Sequence, residues 1–579
     1  MKKFLIAFLA AIAVTVSCCG PEDGEYTFRI LSTNDVHGRY FDSLYVSDRT
    51  SNALTNISWY ADSVRVADGA ENVILIDVGD CLQGDNAAYY YNYVDTTSKH
   101  IYARMVEHMG YDAVIVGNHD IETGHPVYDR MVRTMEVPFL AANAIRNDDG
   151  KPYFQEYVTL KKHGLRVTII GFTNPNIKSW LSPLLWEGMT FESLLPMVQE
   201  VVDRVAVKEK SDVMIVAVHA GTGEGDGTQY ESQGLDLFHS LRGVDFVLCA
   251  HDHRPVVHQN DSICLINAGS HCRNIGFGSV TLKVEGGKVV SKTLDAELLP
   301  VDKKNVDTEM QEIFRPDFEA VKAFTLKEVG ELKADLRTRD AYTGMSDYIN
   351  LIHTLSIGCA PAQISFAAPL TFNGFVKAGT LVYNDLFTVY PFENKLFVVK
   401  MTGKEIKDYL EYSYDSWINT IDSADDNLLK IVNAPDPRTG QNRWSFVNRS
   451  YNFDSAAGLV YKVDVTEPMG ERIIIESLAD GSDFEEAAEY NVAMTSYRAS
   501  GGGGLMKAAG IDTDRIADRV VEYYPEIRNI LYDYLVQNKV IDPEKTGDPA
   551  VIGKWRFYPE KLAEKALKKD MDLLFPPRR

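Results

Sequence analysis

Short apolar runs rich in valine and isoleucine recur through the first half of the chain, and each is followed by polar side chains that can bind a metal ion. Unbroken runs of this length are typical of parallel strands that are buried on both faces. Because parallel strands end at a common edge, we expect the polar residues behind them to meet at one sheet edge. The runs are 28–31, 73–76, 113–116, 213–218 and 244–248, and the residues behind them are Asp35, His37, Asp80, Asn118, His119, His219, His251 and His253.

The same region alternates these strands with stretches of helical periodicity, which predicts a layered α/β domain over residues 27–300. The clearest predicted helices are 52–66, 101–109 and 193–209. At 579 residues the chain is too long for one domain of ordinary size. A second large domain is therefore expected.

The second half of the chain has a different pattern. Charged residues with apolar positions at helical spacing predict a linking helix over 301–335. Residues 336–558 mix helices and strands, which is typical of an α+β domain, and a charged tail, predicted as a peripheral helix, follows over 559–579. Thr402 and Glu405 form a capping box that begins a helix. The predicted strands of this half are 397–401, 459–465 and 490–493.

The first residues have the order of an export signal. Two lysines precede an apolar segment over 4–16, and Ser17 stands before Cys18. The segment is too short to span a bilayer core of about 30 Å, so residues 1–18 are predicted as a lipoprotein-type signal with a lipid on Cys18. Cys19 is the alternative acceptor. The lipid would anchor the protein at the bacterial cell envelope as its one membrane contact, whereas secretion without a lipid would leave a periplasmic protein.

Charge and cysteine spacing narrow the range of ligands. The net charge of −23 argues against polymeric nucleic acid, because phosphate-backbone binding requires a basic surface. A small anionic substrate is compatible with this charge, since bound divalent cations reverse the sign of a local site. The remaining cysteines lack the spacing of a disulfide framework or a zinc knuckle, so free thiols are predicted, with a Cys249–Cys264 bond as the alternative.

The histidine, aspartate and asparagine side chains at the strand ends have the chemistry of a two-cation phosphoesterase centre. Such a centre neutralises the anionic oxygens of a phosphoester and supplies a nucleophile at neutral pH. In an extended strand, residues two apart share a face, so Asp35 and His37 are expected to project toward one point, as are His251 and His253. The sequence therefore predicts a centre for two divalent cations.

The motifs at these strand ends resemble those of a known family. Asp35-x-His37, Gly79-Asp80, Gly117-Asn118-His119-Asp120, His219 and His251-Asp252-His253 are similar in order and context to the calcineurin-like metallophosphoesterases. The second domain resembles the C-terminal domain of exported 5′-nucleotidases. The resemblance implies an α/β/β/α layered catalytic domain followed by an α+β substrate domain.

The resemblance also implies roles for individual residues. Asp35, His37, Asp80 and His253 would hold one metal, and Asp80, Asn118, His219 and His251 would hold the other, with Asp80 bridging. Without thiolate ligands, the ions are compatible with Zn, Mn, Fe or Co. His119 would act as transition-state stabiliser or general acid, oriented by Glu122, for which a solvated loop carboxylate is the alternative.

The second domain bears on the choice of phosphoester. Classical 5′-nucleotidases of the family carry an Asn-x-Gly-Gly-x-Arg segment that grips phosphate, and residues 364–370 here lack it. That segment instead resembles the bacterial 2′,3′-cyclic-nucleotide 2′-phosphodiesterase/3′-nucleotidases. His253 agrees with this branch, as do residues 390–394, 451–454 and 497–503.

Tyr451 and Tyr497 are the predicted base-binding pair. An aromatic sandwich binds any nucleobase through its π face and gives little base selectivity. The alternative is that both are core residues. The glycine run 501–504 either lets backbone approach the sugar or forms a mobile turn.

The expected activity is hydrolysis of 2′,3′-cyclic nucleotides to 3′-nucleotides, and then to nucleoside and phosphate. The partners expected are small-molecule nucleotides, with no protein partner inferred and with domain closure about a hinge near 301–335. One alternative is a 5′-nucleotidase or UDP-sugar hydrolase with the same metal centre. Another is a surface lipoprotein that captures nucleotides without catalysis.

Overall fold

The structure, a computed structural model, describes residues 20–47, 49–435 and 440–576. Cys18, Cys19 and the rest of the predicted signal segment lie outside the described residues. Within those ranges, no helix has the length and apolar character needed to cross a membrane.

The first domain contains two six-stranded sheets that pack face to face. The first sheet has the strand order β14-β13-β1-β2-β3-β4, and the second has the order β11-β12-β10-β9-β7-β6. The strands are β1 Gly24–Thr33, β2 Val73–Asp77, β3 Ala113–Ile115, β4 Phe139–Leu140, β5 Ala144–Arg146, β6 Tyr157–Lys162, β7 Leu165–Phe172, β8 Met189–Phe191, β9 Val213–Val218, β10 Phe246–Cys249, β11 Val256–Gln259, β12 Cys264–Asn267, β13 Asn274–Glu285 and β14 Lys288–Pro300.

Helices cover the outer face of each sheet, so the layers follow the expected α/β/β/α order. A core between the sheets includes Ile30, Ile76, Ile215 and Leu248, all fully or almost fully buried. Separate apolar clusters pack the helices onto the outer faces. The helices of this domain are α1 Leu54–Asp68, α2 Asn86–Tyr89, α3 Ile101–Met109, α4 Asn118–Glu122, α5 His125–Thr134, α6 Leu194–Glu209 and α7 Gly234–Ser240.

The expectation of a single sheet edge is wrong. The strands β1, β2 and β3 are parallel neighbours in the first sheet, whereas β9 and β10 are parallel neighbours in the second. The polar residues therefore meet where corresponding ends of two facing sheets adjoin. An apolar run predicts a buried strand but does not say to which of two sheets it belongs.

The segment 301–335 is not one linking helix. It contains α8 Thr308–Ile313 and α9 Arg315–Thr325, which are separate at Phe314, and then the strand β15 Glu328–Leu332. That strand pairs with two strands of the second domain. The chain therefore joins the second domain before residue 335, and the place of a hinge stays a prediction.

The second domain is built around a five-stranded mixed sheet of order β23-β17-β26-β20-β27. Its remaining strands form sheets of two or three strands. The strands are β16 Leu336–Arg337, β17 Ile364–Ala367, β18 Phe375–Val376, β19 Gly379–Val382, β20 Lys395–Thr402, β21 Ile431–Pro435, β22 Asn442–Phe446, β23 Ser455–Ala457, β24 Leu459–Asp464, β25 Ile473–Leu478, β26 Glu489–Thr495, β27 Val520–Glu526, β28 Val540–Ile541 and β29 Gly553–Tyr558. The helices are α10 Asp347–Cys359, α11 Tyr383–Val389, α12 Gly403–Trp417, α13 Ser496–Ala499, α14 Leu505–Ala508, α15 Ile527–Asn538, α16 Pro543–Thr546, α17 Pro549–Ile552 and α18 Glu560–Leu574.

Local predictions in this half are largely met. The Thr402 hydroxyl accepts from the Glu405 amide, and the Glu405 carboxylate accepts from the Thr402 amide, so the capping box begins α12. The tail is helical over α18, but it is not peripheral, because Ala566 and Leu574 are buried in the second-domain core. Cys249 and Cys264 are free thiols, as are the other described cysteines.

Candidate metal centre

The first ligand group lies between the ends of β1 and β10. Asp35 and His37 follow β1 and His253 follows β10, and one ligand atom from each lies within 4.8 Å of the others. The Nε2 atom of His253 lies 3.3 Å from Oδ1 of Asp35 and 3.0 Å from Nε2 of His37. Asp35 and His37, which follow a strand of the first sheet, are thus in contact with His253, which follows a strand of the second sheet.

The second ligand group adjoins the first. Oδ2 of Asp80 lies 3.1 Å from Nε2 of His219, and Oδ1 of Asn118 lies 3.1 Å from the same nitrogen. The Nδ1 atom of His251 is 3.0 Å from Oδ1 of Asn118. All seven predicted ligands therefore belong to one of two adjacent groups, while the sharing of Asp80 between them stays a prediction.

The donor set fits a pair of divalent cations. Atoms about 2.1 Å from one cation lie about 3 Å apart when their bonds meet near right angles, and the closest pairs in both groups have this spacing. Oδ1 of Asp35 is buried and accepts no hydrogen bond from any described residue. A buried carboxylate oxygen without a partner is costly, and a bound cation at this oxygen removes that cost.

The sequence did not predict the left-handed backbone conformation of the ligand residues. Asp35, His37, Asp80, His251 and His253 all have φ between 48° and 72°, in the left-handed region. The expectation that Asp35 and His37 project from an extended strand is wrong, because β1 ends at Thr33 and both residues lie in the turn behind it. Left-handed conformations cost non-glycine residues free energy and cluster at functional sites.

Two glycines allow the Asp80 turn to pack against the start of α4. A Cβ atom on Gly117 would lie 2.2 Å from Oδ1 of Asp80 and 2.4 Å from its backbone nitrogen. A Cβ atom on Gly79, whose φ is +93°, would lie 2.8 Å from Nδ1 of His219. Neither position has room for a side chain, so the Gly residues of the Gly-Asp and Gly-Asn-His patterns are steric requirements of the centre.

Asp120 holds the same turn in place. Its carboxylate accepts from the backbone amides of Gly117, Asp80, Cys81 and Leu82 at 2.8 to 3.1 Å, and the side chain is fully buried. The sequence offered no signal for this role beyond its place after the Asn-His pair. Asp120 therefore orients a predicted ligand without being one.

Neighbouring groups also orient the ligand histidines. Nδ1 of His219 lies 2.7 Å from the carbonyl oxygen of Val78, which directs Nε2 toward the second group. The ring of Trp180 stacks on His251 with centroids 5.1 Å apart and planes 21° apart. Trp180 lies on a loop far from the ligand motifs in sequence, and no local pattern marked it.

Burial and nearby negative charge shift the pKa values of these histidines in opposite directions. Burial lowers the pKa of His37 and that of His251 to about 4 in each case, although the Asp80 carboxylate opposes it. At His219 burial also lowers the pKa, but its close contact with Asp80 outweighs it and raises the pKa to about 9. A neutral imidazole is the form that binds a metal, so His37 and His251 are ready to bind.

His119 and Glu122 contact each other as predicted. Nδ1 of His119 lies 2.5 Å from Oε2 of Glu122, and the His119 amide donates to Oδ1 of Asp80. His119 belongs to neither ligand group. The alternative of a solvated Glu122 does not hold in this structure, because that side chain is 12% exposed.

A cavity of about 780 Å³ joins the centre to the second domain. Asp80, His119 and His251 line one side, and Tyr451 and Tyr497 line the other. The two tyrosine rings have centroids 6.4 Å apart and planes at 82°, so in this conformation they do not form an aromatic sandwich, and their role as a base-binding pair stays a prediction. Both are half-buried at the cavity wall, and the alternative of core residues does not hold.

Comparison with known proteins agrees with both halves of the fold. The calcineurin-like phosphoesterase family matches residues 28–255, which contain every predicted metal ligand. The C-terminal domain of the 5′-nucleotidases matches residues 326–510.

Individual relatives are similar at low identity. The chain is 24% identical to the trifunctional nucleotide phosphoesterase protein YfkN of Bacillus subtilis over 89% of its own length, and it spans 38% of that protein. It is also 24% identical to a 2′,3′-cyclic-nucleotide 2′-phosphodiesterase/3′-nucleotidase of Haemophilus influenzae, with 92% of this chain and 87% of that protein covered.

A solved structure shares the whole architecture. A Staphylococcus aureus protein assigned to the 5′-nucleotidases matches with a TM-score of 0.72 at 19% identity, covering 92% of this chain and 99% of that chain. At this identity the likeness shows the fold. The chain therefore combines a calcineurin-like phosphoesterase domain with a 5′-nucleotidase C-terminal domain.

Proposed function

We propose that this enzyme hydrolyses nucleotide phosphoesters, converting 2′,3′-cyclic nucleotides to 3′-nucleotides and these to nucleoside and phosphate. The observation that carries the proposal is the shared cavity, which is lined at one end by members of both ligand groups and at the other by Tyr451 and Tyr497. A nucleotide has the same polarity, with an anionic phosphoester at one end and an aromatic base at the other.

The residues at the anionic end have complementary tasks. Two divalent cations at the ligand groups would neutralise the phosphoryl oxygens and lower the pKa of a bound water. A water molecule that has given up one proton to solvent would attack phosphorus in line. The bond from phosphorus to the 2′ oxygen breaks, that oxygen takes a proton from Nε2 of His119, and the imidazole is reprotonated from solvent. Glu122 holds the opposite ring nitrogen, which keeps Nε2 directed at the leaving group.

The second domain supports the cyclic and 3′ substrates. Residues 364–370, where classical 5′-nucleotidases carry the phosphate-gripping arginine, contribute Phe366, Ala367, Ala368 and Leu370 to the cavity wall. These side chains offer no positive charge to a phosphate. The Haemophilus influenzae relative, which matches nearly the full length, is named for the same two reactions.

A substrate panel tests the proposal. Purified enzyme is chelated, reloaded with Zn²⁺, Mn²⁺, Fe²⁺ or Co²⁺, and assayed on 2′,3′-cyclic AMP, 3′-AMP, 5′-AMP and a UDP-sugar. The cyclic and 3′ substrates are expected to have the highest kcat/KM, with activity lost on chelation. Preference for 5′-AMP or the UDP-sugar would establish the alternative hydrolase. Binding of nucleotides without turnover under every metal would establish a capture protein.

We also propose that the chain is a lipid-anchored envelope protein, as the pattern before Cys18 indicates. The same pattern without modification would give a secreted form. Metabolic labelling with an alkyne fatty acid is expected to mark the wild-type protein and not the Cys18→Ala variant. Equal labelling of both would move the lipid to Cys19, and no labelling of either would contradict anchoring.

A further inference from the structure

Arg498 is the most heavily hydrogen-bonded side chain beside the base end of the cavity. It lies on α13, one residue beyond Tyr497, and is 3% exposed. Its Nε and Nη2 atoms donate to the two carboxylate oxygens of Asp454 at 2.9 and 2.8 Å. A bidentate pair of this kind fixes the plane of the guanidinium group.

The remaining donors of Arg498 reach two separate segments. Nη2 donates to the carbonyl oxygen of Tyr451 at 2.8 Å, and Nη1 donates to Oδ1 of Asn452 at 3.1 Å. Nη1 also donates to the carbonyl oxygen of Gly502 at 2.6 Å. A guanidinium has five N–H groups, and these contacts use all of them. The segment with Tyr451 and the glycine turn behind Tyr497 are thereby tied to one rigid group.

Close packing against Tyr497 and Arg498 explains why the run 501–504 consists of glycine. A Cβ atom on Gly502 would lie 2.4 Å from the ring of Tyr497, and one on Gly503 would lie 2.5 Å from Nη1 of Arg498. Gly501, Gly503 and Gly504 have φ between 75° and 102°. The run therefore wraps around the tyrosine ring and the guanidinium.

Asp454, the partner of Arg498, is itself held by hydrogen bonds. The hydroxyl of Tyr409 donates to Oδ2 of Asp454, and Ser413 donates to the Asp454 carbonyl oxygen at 2.8 Å. Tyr409 stacks on Phe366, which lines the same cavity, with centroids 4.1 Å apart. The network thus runs from the core of the second domain to the cavity wall.

We propose that Arg498 is a positioning residue that sets the relative placement of Tyr451 and Tyr497 and so determines the preference for esters that carry a base. The proposal rests on the proposed nucleotide activity. Because the rings are perpendicular, a base that enters between them requires one ring to turn. Arg498 keeps the backbone segments of Tyr451 and Tyr497 in fixed relative positions while the ring turns. Its contacts are to carbonyl oxygens and to Asp454 and Asn452, so it acts through the tyrosines.

The test compares Arg498→Lys, Tyr451→Ala and the double variant in the full-length, metal-loaded enzyme. Lysine keeps a positive charge beside Asp454 but cannot reproduce the planar fork of donors. The readout is kcat/KM for 3′-AMP divided by kcat/KM for ribose 3-phosphate, which carries no base. Arg472→Lys is the matched control, since Arg472 is a buried arginine of the same domain, 2% exposed, that pairs with Asp415 and does not line the cavity.

Arg498→Lys is expected to lower this ratio, mainly through KM for 3′-AMP, by between about 5- and 150-fold, the range that corresponds to one stacked base. In the Tyr451→Ala background the same change is expected to have an effect of less than about two-fold. Arg472→Lys is expected to leave the ratio unchanged. Equal losses on both esters, or full additivity with Tyr451→Ala, would overturn the proposal.

Two further outcomes are decisive. If Arg498→Lys fails to fold, Asn452→Ala replaces it, because it removes one acceptor without leaving a buried charge, and an unchanged ratio in that variant overturns the proposal. If the wild-type enzyme does not prefer 3′-AMP to ribose 3-phosphate and Tyr451→Ala has no effect, the nucleotide function itself fails. A ratio lowered by Tyr451→Ala but not by Arg498→Lys contradicts the role of Arg498 alone.

Discussion

Nδ1 of His119 lies 2.5 Å from Oε2 of Glu122, across one turn of α4. Burial of His119 lowers its pKa, but the charges on Asp80 and Glu122 outweigh this and raise the pKa to about 10. These two carboxylates therefore favour the protonated imidazole. A protonated histidine beside the metal ligands is suited to donate a proton to a departing oxygen.

Substitution of Glu122 tests this relationship. In Glu122→Gln the negative charge is lost, so the pKa of His119 falls and its acid form is lost at lower pH. We expect the basic limb of the kcat profile to move down by about one pH unit from its wild-type position near pH 10, so that kcat falls by about five-fold at pH 10 and changes little at pH 8. His119→Asn is expected to reduce kcat by about 100- to 10,000-fold at every pH.

Metal content separates these effects from damage to the centre. Because neither residue belongs to a ligand group, both variants are expected to bind wild-type amounts of metal by elemental analysis. An unchanged pH profile in Glu122→Gln would show that the carboxylate does not act on His119.

Asp120→Asn is expected to weaken metal binding although Asp120 is not a ligand. The carboxylate accepts four backbone amides, whereas a carboxamide has one acceptor oxygen and presents N–H donors where acceptors are needed. The Asp80 turn then loses its support, and we expect metal affinity to fall by about 10- to 100-fold. Isothermal titration of the chelated protein measures this.

Asp149→Asn is the control for Asp120→Asn, since Asp149 lies on an exposed loop. Its affinity is expected to match that of the wild type. Equal affinity in the two variants would mean that the turn holds its conformation without Asp120.

Gly117→Ala is expected to abolish the second ligand group. The new methyl group would overlap Oδ1 and the backbone nitrogen of Asp80, both of which lie within 2.4 Å of its position. Because this backbone cannot yield without moving a ligand, we expect kcat/KM to fall by more than about 100-fold. Gly358→Ala, where the added methyl group meets nothing within 4 Å, is expected to retain full activity. Normal activity in Gly117→Ala would contradict the packing described here.

The raised pKa of Glu526 predicts that substrate binding depends on pH. It lines the cavity, and burial together with the charge of Glu393 raises its pKa to about 7. Below that pH the side chain is neutral, and above it the side chain is anionic and repels an anionic substrate. KM for 3′-AMP is therefore expected to rise by about 2- to 5-fold between pH 6 and pH 8.

In Glu526→Gln this rise is expected to disappear, and KM to stay at its low-pH value. Glu522→Gln, on the exposed part of the same strand, is expected to keep the wild-type dependence. A rise of the same size in all three proteins would assign the titration to another group.

The strand ends could be predicted because each ligand lies within four residues of the end of a buried strand. The strands before Asp80 and His219 are fully buried, and both side chains reach the centre. The helix over Ile101–Met109 was predicted to the residue because its apolar positions face one side. Local periodicity was sufficient for these elements.

The parts that could not be predicted depend on contacts between distant segments. Asp120 matters because a loop from the end of β2 packs onto α4, and Trp180 matters because its loop reaches His251 across the domain. Neither contact leaves a local pattern. The same holds for the perpendicular tyrosines, since their ring planes are set by packing and not by sequence order.

Both ligand groups take side chains from the two sheets, and their last members in chain order are His251 and His253. As the chain emerges from the ribosome, neither group is complete until this point has been translated. A cation therefore finds its complete ligand set only when the two sheets have come together. Full-affinity metal binding thus depends on closure of the sandwich.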